Sequence, residues 1–456
     1  MPSQSYSMID FRSALQNSFV RNVSVLAGGT AFAQALNILV LPLLTRIYSP
    51  EEFGLLGVFS ALLAITSVVS SLRYDIAIPI PKSDKAAANL LAVALVCLTA
   101  FTLILLIVIL LFSQRIASLM NTVLLAEYLW LLPIAVAAAG AYGTFQYWAT
   151  RKKAFSSIAR TRVEQSIGGV VTQLLLGWIG AGTLGLIAGQ IVNSGAGFWG
   201  LARRLLKDDR AALQGVKIAQ MKAVASEYDR FPKYSTFEAF TNTSGIQLPL
   251  ILIATLATGV EVGFLMLAMR IMQAPMGLIG SSISQVYFSR AVDEHRNGNL
   301  GVFTARTIGG LAKTGVGPII FAGIIAPSLF GLVFGEKWQR AGELVAWMTP
   351  WFVLQFLASP VSMSLQVTGN QRKALLLTVF GLFLRISMLY VGAKLTVGCA
   401  SESYAVSGFI FYSICLYVFC GIAKVSYLNL CRELKAALPI IISFVLLGIC
   451  FKALIS

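Results

Sequence analysis

Histidine is almost missing from this chain: His295 is the only one, set in a charged loop beside Asp293 and Glu294. Imidazole-based nucleophilic or metal chemistry has one residue to draw on, and a solvated loop position is its simplest reading. Charge is scarce too. Only 12% of the residues are Asp, Glu, Lys or Arg, against roughly 25% in an ordinary soluble domain. The six cysteines, at positions 97, 399, 415, 420, 431 and 450, include no CxxC pair and mostly lie in apolar runs, so they read as small hydrophobic residues. No cleavable leader is expected, because the first apolar run is too long for one and follows a polar tail.

What is present is hydrocarbon. Hydrophobic residues make up 57% of the 456 positions and mean hydropathy is +0.79, which describes an all-α polytopic membrane protein with little soluble mass. The net charge of +16 fits cytoplasmic loops near anionic lipid, and nucleic acid is not an expected partner. Residues 1–22 place Met8, Phe11, Leu15 and Phe19 on one helical face, an interfacial pattern. Apolar runs follow at 23–45, 52–72, 87–112, 124–149, 163–180, 183–202, 236–258, 262–288, 307–333, 344–368, 374–396 and 403–423. Each suits a helix crossing a core of ~30 Å at ~1.5 Å per residue. A further run, 436–451, contains Pro439 and is short, so it reads either as a thirteenth span or as an interfacial helix.

Cations orient the spans. With the N-terminus inside, 26 of the 35 Lys and Arg residues fall on cytoplasmic segments, eight of them at 203–233, and six on the opposite side. A faint repeat runs through the spans: Glu52-Phe53-Gly54 matches Glu261-Val262-Gly263, Lys153-Ala154 matches Lys373-Ala374, and Pro42 and Pro249 interrupt spans one and seven at similar depth. Two six-helix halves in parallel orientation follow, with an N-lobe at 23–202, a basic linker at 203–235, a C-lobe at 236–423 and an extension at 424–456. Pro42 and Pro249 are the expected hinges.

Ser49-Pro50-Glu51-Glu52 reads as a helix start, with a hydroxyl cap, proline in the first turn and a glutamate that reaches back to the cap. The stretch LPLLTRIYSPEEFGLLGVF around it, followed by LRYDIAIPIPKSDKAAANLL, resembles the polysaccharide transporters of the multidrug/oligosaccharidyl-lipid/polysaccharide flippase superfamily, the O-antigen-type lipid-linked oligosaccharide flippases. The resemblance implies two lobes around a central cavity in a bacterial inner membrane. It also implies no enzymatic activity and a cargo of polyprenyl-diphosphate oligosaccharide moved to the outer leaflet. A coupling proton or sodium ion is the only cofactor it suggests. Membrane lipid, a polysaccharide polymerase and chain-length machinery are the partners it suggests.

Charges within spans are costly and face protein or water. Arg270 in span eight and Arg385 in span eleven sit near mid-membrane, where each is either a cavity cation or half of a structural pair. Span eight lines the half-to-half interface in the resembled fold, which favours Arg270 as the cavity cation. Arg73 and Arg162, nearer the cytoplasmic face, complete the candidate cation set. Asp75, Glu164, Glu238 and Lys313 are candidate coupling or charge partners. Arg151-Lys152-Lys153 reads as a topology anchor. A drug or cation antiporter of the same superfamily is the alternative, and would want an acidic cavity. A membrane polymerase or glycosyltransferase is a further one, and would want an outer loop or a carboxylate pair. The orientation is testable: a reporter after Lys222 should be cytoplasmic and one between Gly335 and Gly342 external, and finding both on one side would contradict it.

Overall fold

Membrane-length helices dominate the computed structural model, which describes residues 18–257, 259–276, 281–395 and 399–455. The amphipathic segment expected over 1–22 lies outside the described residues, except for the start of α1 (Ser18–Leu39). Among the described residues nine helical segments are long and apolar enough to cross a bilayer. Their mid-length side chains also face outward: Leu103, Ile104, Ile107, Leu110 and Leu111 of α4 (Asp84–Leu119) are exposed, an apolar surface that only lipid can cover.

The chain divides into two compact units, one holding residues 1–40, 63–113 and 128–241, the other 41–62, 114–127 and 242–456. In the second unit, α2 (Leu41–Ile47) and the start of α3 (Pro50–Ser70) form a hairpin tip. The expected capping arrangement forms there. The Ser49 N–H donates to Glu52 Oε2 at 2.7 Å and the Glu52 N–H donates to Ser49 Oγ at 3.3 Å. Val40 breaks the first span between α1 and α2 just before Pro42, which has no N–H to continue the helical ladder.

The first unit contains α4 up to Ser113, α5 (Leu131–Arg151), α6 (Phe155–Trp178), α7 (Thr183–Gly195), α8 (Phe198–Asp208) and α9 (Ile218–Glu227). The run expected as one span over 183–202 is two helices, parted at the small residues Ala196 and Gly197. The basic segment 203–235 packs onto this unit. Leu205 and Ala212 join Ile78, Leu91 and Trp148 in one cluster, and Val224 joins Tyr74 and Leu90 in another. The buried Asn89 reads the segment's backbone, donating to Gly215 O at 3.2 Å and accepting from the Lys217 N–H at 3.1 Å. Tyr74 donates to Ala225 O at 3.1 Å.

The second unit continues with α10 (Thr236–Leu256), α11 (Gly259–Pro275), α12 (Ser281–Arg296) and α13 (Leu300–Leu311). A π-helical turn, Ala312–Val316, joins α13 to α14 (Gly317–Phe334). Then come α15 (Gln339–Val361), α16 (Gln371–Leu395), α17 (Ala400–Ile422) and α18 (Tyr427–Ile455). Pro249 is buried inside an unbroken α10. The run expected over 262–288 ends as a helix at Pro275, and α12 starts at Ser281.

Residues 436–451 sit within α18, a helix of 29 residues that is long and apolar enough to cross a bilayer. It lies along α13 and α14 at positions where a Cβ would crowd the partner: Gly309 meets Glu433, Gly317 meets Phe444 and Gly448 meets Ile324, while Gly301 meets the Lys424 carbonyl just before α18 begins. From Glu433 to Gly448 these contacts cover about 22 Å of α18. Numbers rise together in the two partners, so α18 runs parallel to α14 and ends at the same side as Phe334. A reporter after Ser456 is therefore expected on the same side as a thiol label at position 337, and on the opposite side from one at position 296; finding it with position 296 would refute the parallel packing.

Candidate functional site

Arginines deep in apolar helices organise the candidate site, and the second unit holds two. Arg270 lies eleven residues into α11 and is partly buried. Among the described residues no carboxylate pairs with it or with Arg385. Arg385 on α16 has another companion. Its guanidinium carbon stands 4.7 Å over the Phe411 ring of α17, and Gly381, one turn earlier, leaves room for that ring. Arg385 is thus held by an aromatic face, although its Nε is buried without a hydrogen-bond partner.

Arg73 and Arg162 belong to the first unit. After α3 ends at Ser70 the chain turns through two left-handed residues, Leu72 (φ 49°) and Arg73 (φ 60°), before the short helix Tyr74–Ala77. Neither is glycine, so each costs about 1–2 kcal/mol of backbone strain. The turn separates the charges it carries. Asp75 Oδ1 accepts from Ser71 Oγ at 2.9 Å, while Arg73 Nε is buried with no hydrogen-bond partner. Tyr147 on α5 lies within electrostatic reach of both. Arg162 on α6 donates to Thr30 Oγ1 of α1 at 2.6 Å. The remaining candidates face other neighbours: Glu164 pairs with Arg160 at 2.7 Å, Lys313 lies 3.7 Å from Glu433, and Glu238 is exposed near the start of α10.

An apolar groove of about 580 Å³ opens in the second unit, lined by Gly323 and Pro327 of α14, Thr349 and Pro350 of α15, Phe409 of α17 and Lys452 of α18. Thr349 turns its hydroxyl back to Val345 O at 2.8 Å, which leaves the walls apolar and Lys452 the one charge among the lining residues.

Arg151, expected as a topology anchor, is a clamp. Its guanidinium donates to Asp84 at 3.0 Å and to the carbonyls of Pro79, Pro81 and Lys82 at 3.2, 2.5 and 3.3 Å, which fixes the loop after the second span to the end of α5. Lys152 bridges Asp84 at 2.6 Å and Asp209 at 2.8 Å, and Trp148 Nε1 donates to Asp209 at 3.0 Å. Burial works against the Lys152 ammonium, but the hydrogen bonds to Asp209 and Asp84 outweigh it and hold its pKa above the ordinary lysine value. Sequence reasoning missed this clamp because its acceptors are mostly backbone carbonyls.

Residues 43–343 match the model of a family described as polysaccharide biosynthesis protein. The chain belongs to that family. No curated protein matches the sequence significantly. Solved structures agree on the fold. One titled lipid II flippase MurJ, in an inward closed conformation, superposes with a TM-score of 0.69 at 14% identity, covering 94% of this chain and 97% of that one. An inward-facing multidrug resistance MATE family transporter of the MOP superfamily gives 0.67 at 15% identity over 87% and 95%. A MOP superfamily transporter from Pyrococcus furiosus gives 0.57 at 14% over 89% and 97%. This member of the polysaccharide biosynthesis family is therefore a multi-pass membrane protein with the two-lobed, all-helical MOP fold.

The clamp yields a stability prediction. Arg151→Ala strands three loop carbonyls and leaves Asp84 to Lys152 alone, and should cost about 1–3 kcal/mol, lowering the thermal midpoint of the detergent-solubilised protein. Lys153→Ala, which removes none of these bonds, should leave the midpoint within a degree or so; equal midpoints for the two variants would contradict the clamp.

Proposed function

We propose that this protein is a flippase that carries polyprenyl-diphosphate-linked oligosaccharide from the cytoplasmic to the outer leaflet of a bacterial inner membrane. It would serve surface polysaccharide assembly (O-antigen, capsule or exopolysaccharide) and work by alternating access. The observation that carries this reading is Arg270, a deep cation with no carboxylate partner among the described residues. A guanidinium stays charged at any physiological pH, and inserting one in a span costs several kcal/mol unless it meets an anion, carbonyls or water. An anionic cargo is the partner that justifies keeping it. A diphosphate also presents the paired oxygens that a forked donor grips best. A cationic drug would be repelled by the same residue.

The family and the apolar groove support the reading, since a polyprenyl chain needs hydrocarbon walls while its head group is held by charge. The cation count supports an N-terminus in the cytoplasm. Arg73 and Arg162 are our entry-side cations and Asp75 our candidate coupling residue for a proton or sodium ion. Handover to a polymerase and chain-length machinery completes the proposal.

Arg270 gives the test. In the deletion host, lipid-linked oligosaccharide should accumulate on the inner leaflet, and the wild-type gene should clear it. Arg270→Ala should cut clearance about 10- to 100-fold at normal abundance, the loss of ~1.5–3 kcal/mol expected for a charged hydrogen bond. Arg270→Lys should retain part of it. Neutralising Glu164 or Glu238 in the alanine variant should restore nothing, because Glu164 is held by Arg160 and Glu238 faces outward. Wild-type surface glycan in Arg270→Ala would remove the cargo contact.

A further inference from the structure

We infer that the outward stripe of α8, formed by Trp199, Arg203, Leu206 and Lys207, is a seat for the head groups of anionic phospholipid at one face of the membrane, a partner distinct from any cargo. The helix spaces these residues at i, i+4, i+7 and i+8, so they share one side. The other side is taken. Leu201 is buried among Tyr142, Ala149 and Ile158, and Leu205 among Ile78, Ala87 and Trp148. All of these neighbours belong to the first unit. They fix the rotation of α8 about its axis, and with it the direction in which the stripe faces.

The same contacts set its depth. A Cβ on Gly195, just before α8, would overlap Ala138 of α5, Gly197 stands beside Tyr142, and Leu205 reaches Trp148 in the last turn of α5. From Gly195 to Leu205 the chain therefore climbs alongside α5 by about 15 Å. It arrives at the polar end of that helix, where Arg151 and Lys152 hold Asp84. Trp199 lies about 6 Å deeper than Arg203, and the Arg203 guanidinium carbon stands 5.5 Å over its ring. Trp199 is 59% exposed and Leu206 60%. Water covers such apolar surface poorly and hydrocarbon covers the cations between them poorly. The head-group layer takes both.

Charge selects the lipid. Between Phe198 and Arg210 the chain carries four cations, Arg203, Arg204, Lys207 and Arg210, and two acids. Both acids are already engaged. Asp208 pairs with Arg204 at 3.3 Å, while Asp209 takes Lys152 at 2.8 Å and the Trp148 indole N–H at 3.0 Å. Arg204 also donates to Ser157 Oγ. Arg203, Lys207 and Arg210 are left over, all exposed and none with a carboxylate partner among the described residues. A zwitterionic head group brings its own cation with each phosphate, whereas an anionic one brings the phosphate alone. The stripe therefore favours an anionic glycerophospholipid such as phosphatidylglycerol over phosphatidylcholine. The cation count makes the cytoplasmic leaflet the expected one.

The test uses the full-length protein in mixed micelles of detergent and phosphatidylcholine, titrated with phosphatidylglycerol. Wild type should gain several degrees in thermal midpoint. R203Q/K207Q/R210Q, which removes no ion pair, should lose at least half of that gain whatever its starting midpoint; an undiminished gain would overturn the stripe. K217Q/K222Q/R230Q removes as many exposed cations elsewhere in the same segment and should keep the gain. An equal loss there would make the effect one of net charge and overturn the site. Inorganic phosphate in place of the lipid should give no gain, and a gain matching the lipid's would make this a soluble-anion site instead. A second arm needs no midpoint. A nitroxide on L206C, in a background with the native cysteines replaced, should meet oxygen more readily than a water-soluble nickel chelate in phosphatidylglycerol vesicles. The reverse order would place the stripe in water and overturn the inference. Neither arm involves cargo, so the proposed function stands or falls by its own test.

Discussion

Helices inside a bilayer gain nothing from leaving lipid for each other, so their association depends on how closely their backbones approach. That constraint explains where this chain spends its glycines. Gly309 and Gly317 make the bed in which α18 lies, and Gly54 and Gly263 let α3 and α11 cross with no side chain between them. Both contacts are fixed by the absence of a Cβ, yet they differ in what surrounds them. The α18 bed carries an ion pair, Lys313 with Glu433, and the packing of Phe321 on Phe444 and Phe451. The α3–α11 crossing carries one indole hydrogen bond and ring edges.

Charge follows a similar division. Arg151 and Arg340 spend their donors on carboxylates and carbonyls, which makes them scaffold. Arg385 rests on a ring face, a weaker hold worth up to about 2 kcal/mol when desolvated. Arg270 has no carboxylate partner among the described residues. The two arginines that looked alike by depth are therefore unlike by company, and the proposed function rests on Arg270.

Much of this was legible in the sequence where a local rule governs. The cap at Ser49 and Glu52 formed as its spacing predicts, and the apolar runs became helices. The repeat also marked Gly54 and Gly263, though not that they would touch each other. The sixteen-residue charge-free core at 436–451 left a span and an interfacial helix both open; in the structure the charged turn before it, including Glu433 beside Lys313, belongs to the same helix. Nothing local announced the left-handed turn at Leu72 and Arg73, which has neither glycine nor proline and is held by what packs around it. The Phe411 face under Arg385 was equally out of reach, since it pairs residues on different helices with no charge signal between them.

The central claim is that an anionic, lipid-linked head group crosses the membrane through this protein. Purified protein reconstituted into vesicles with a labelled short-chain polyprenyl-diphosphate oligosaccharide on one leaflet tests it most directly. A membrane-impermeant glycosidase added outside reports how much label has crossed. The account predicts crossing well above that of protein-free vesicles, and competition by an unlabelled polyprenyl diphosphate but not by a lipophilic cation. Crossing no faster than in protein-free vesicles, or competition by the cation alone, would contradict it.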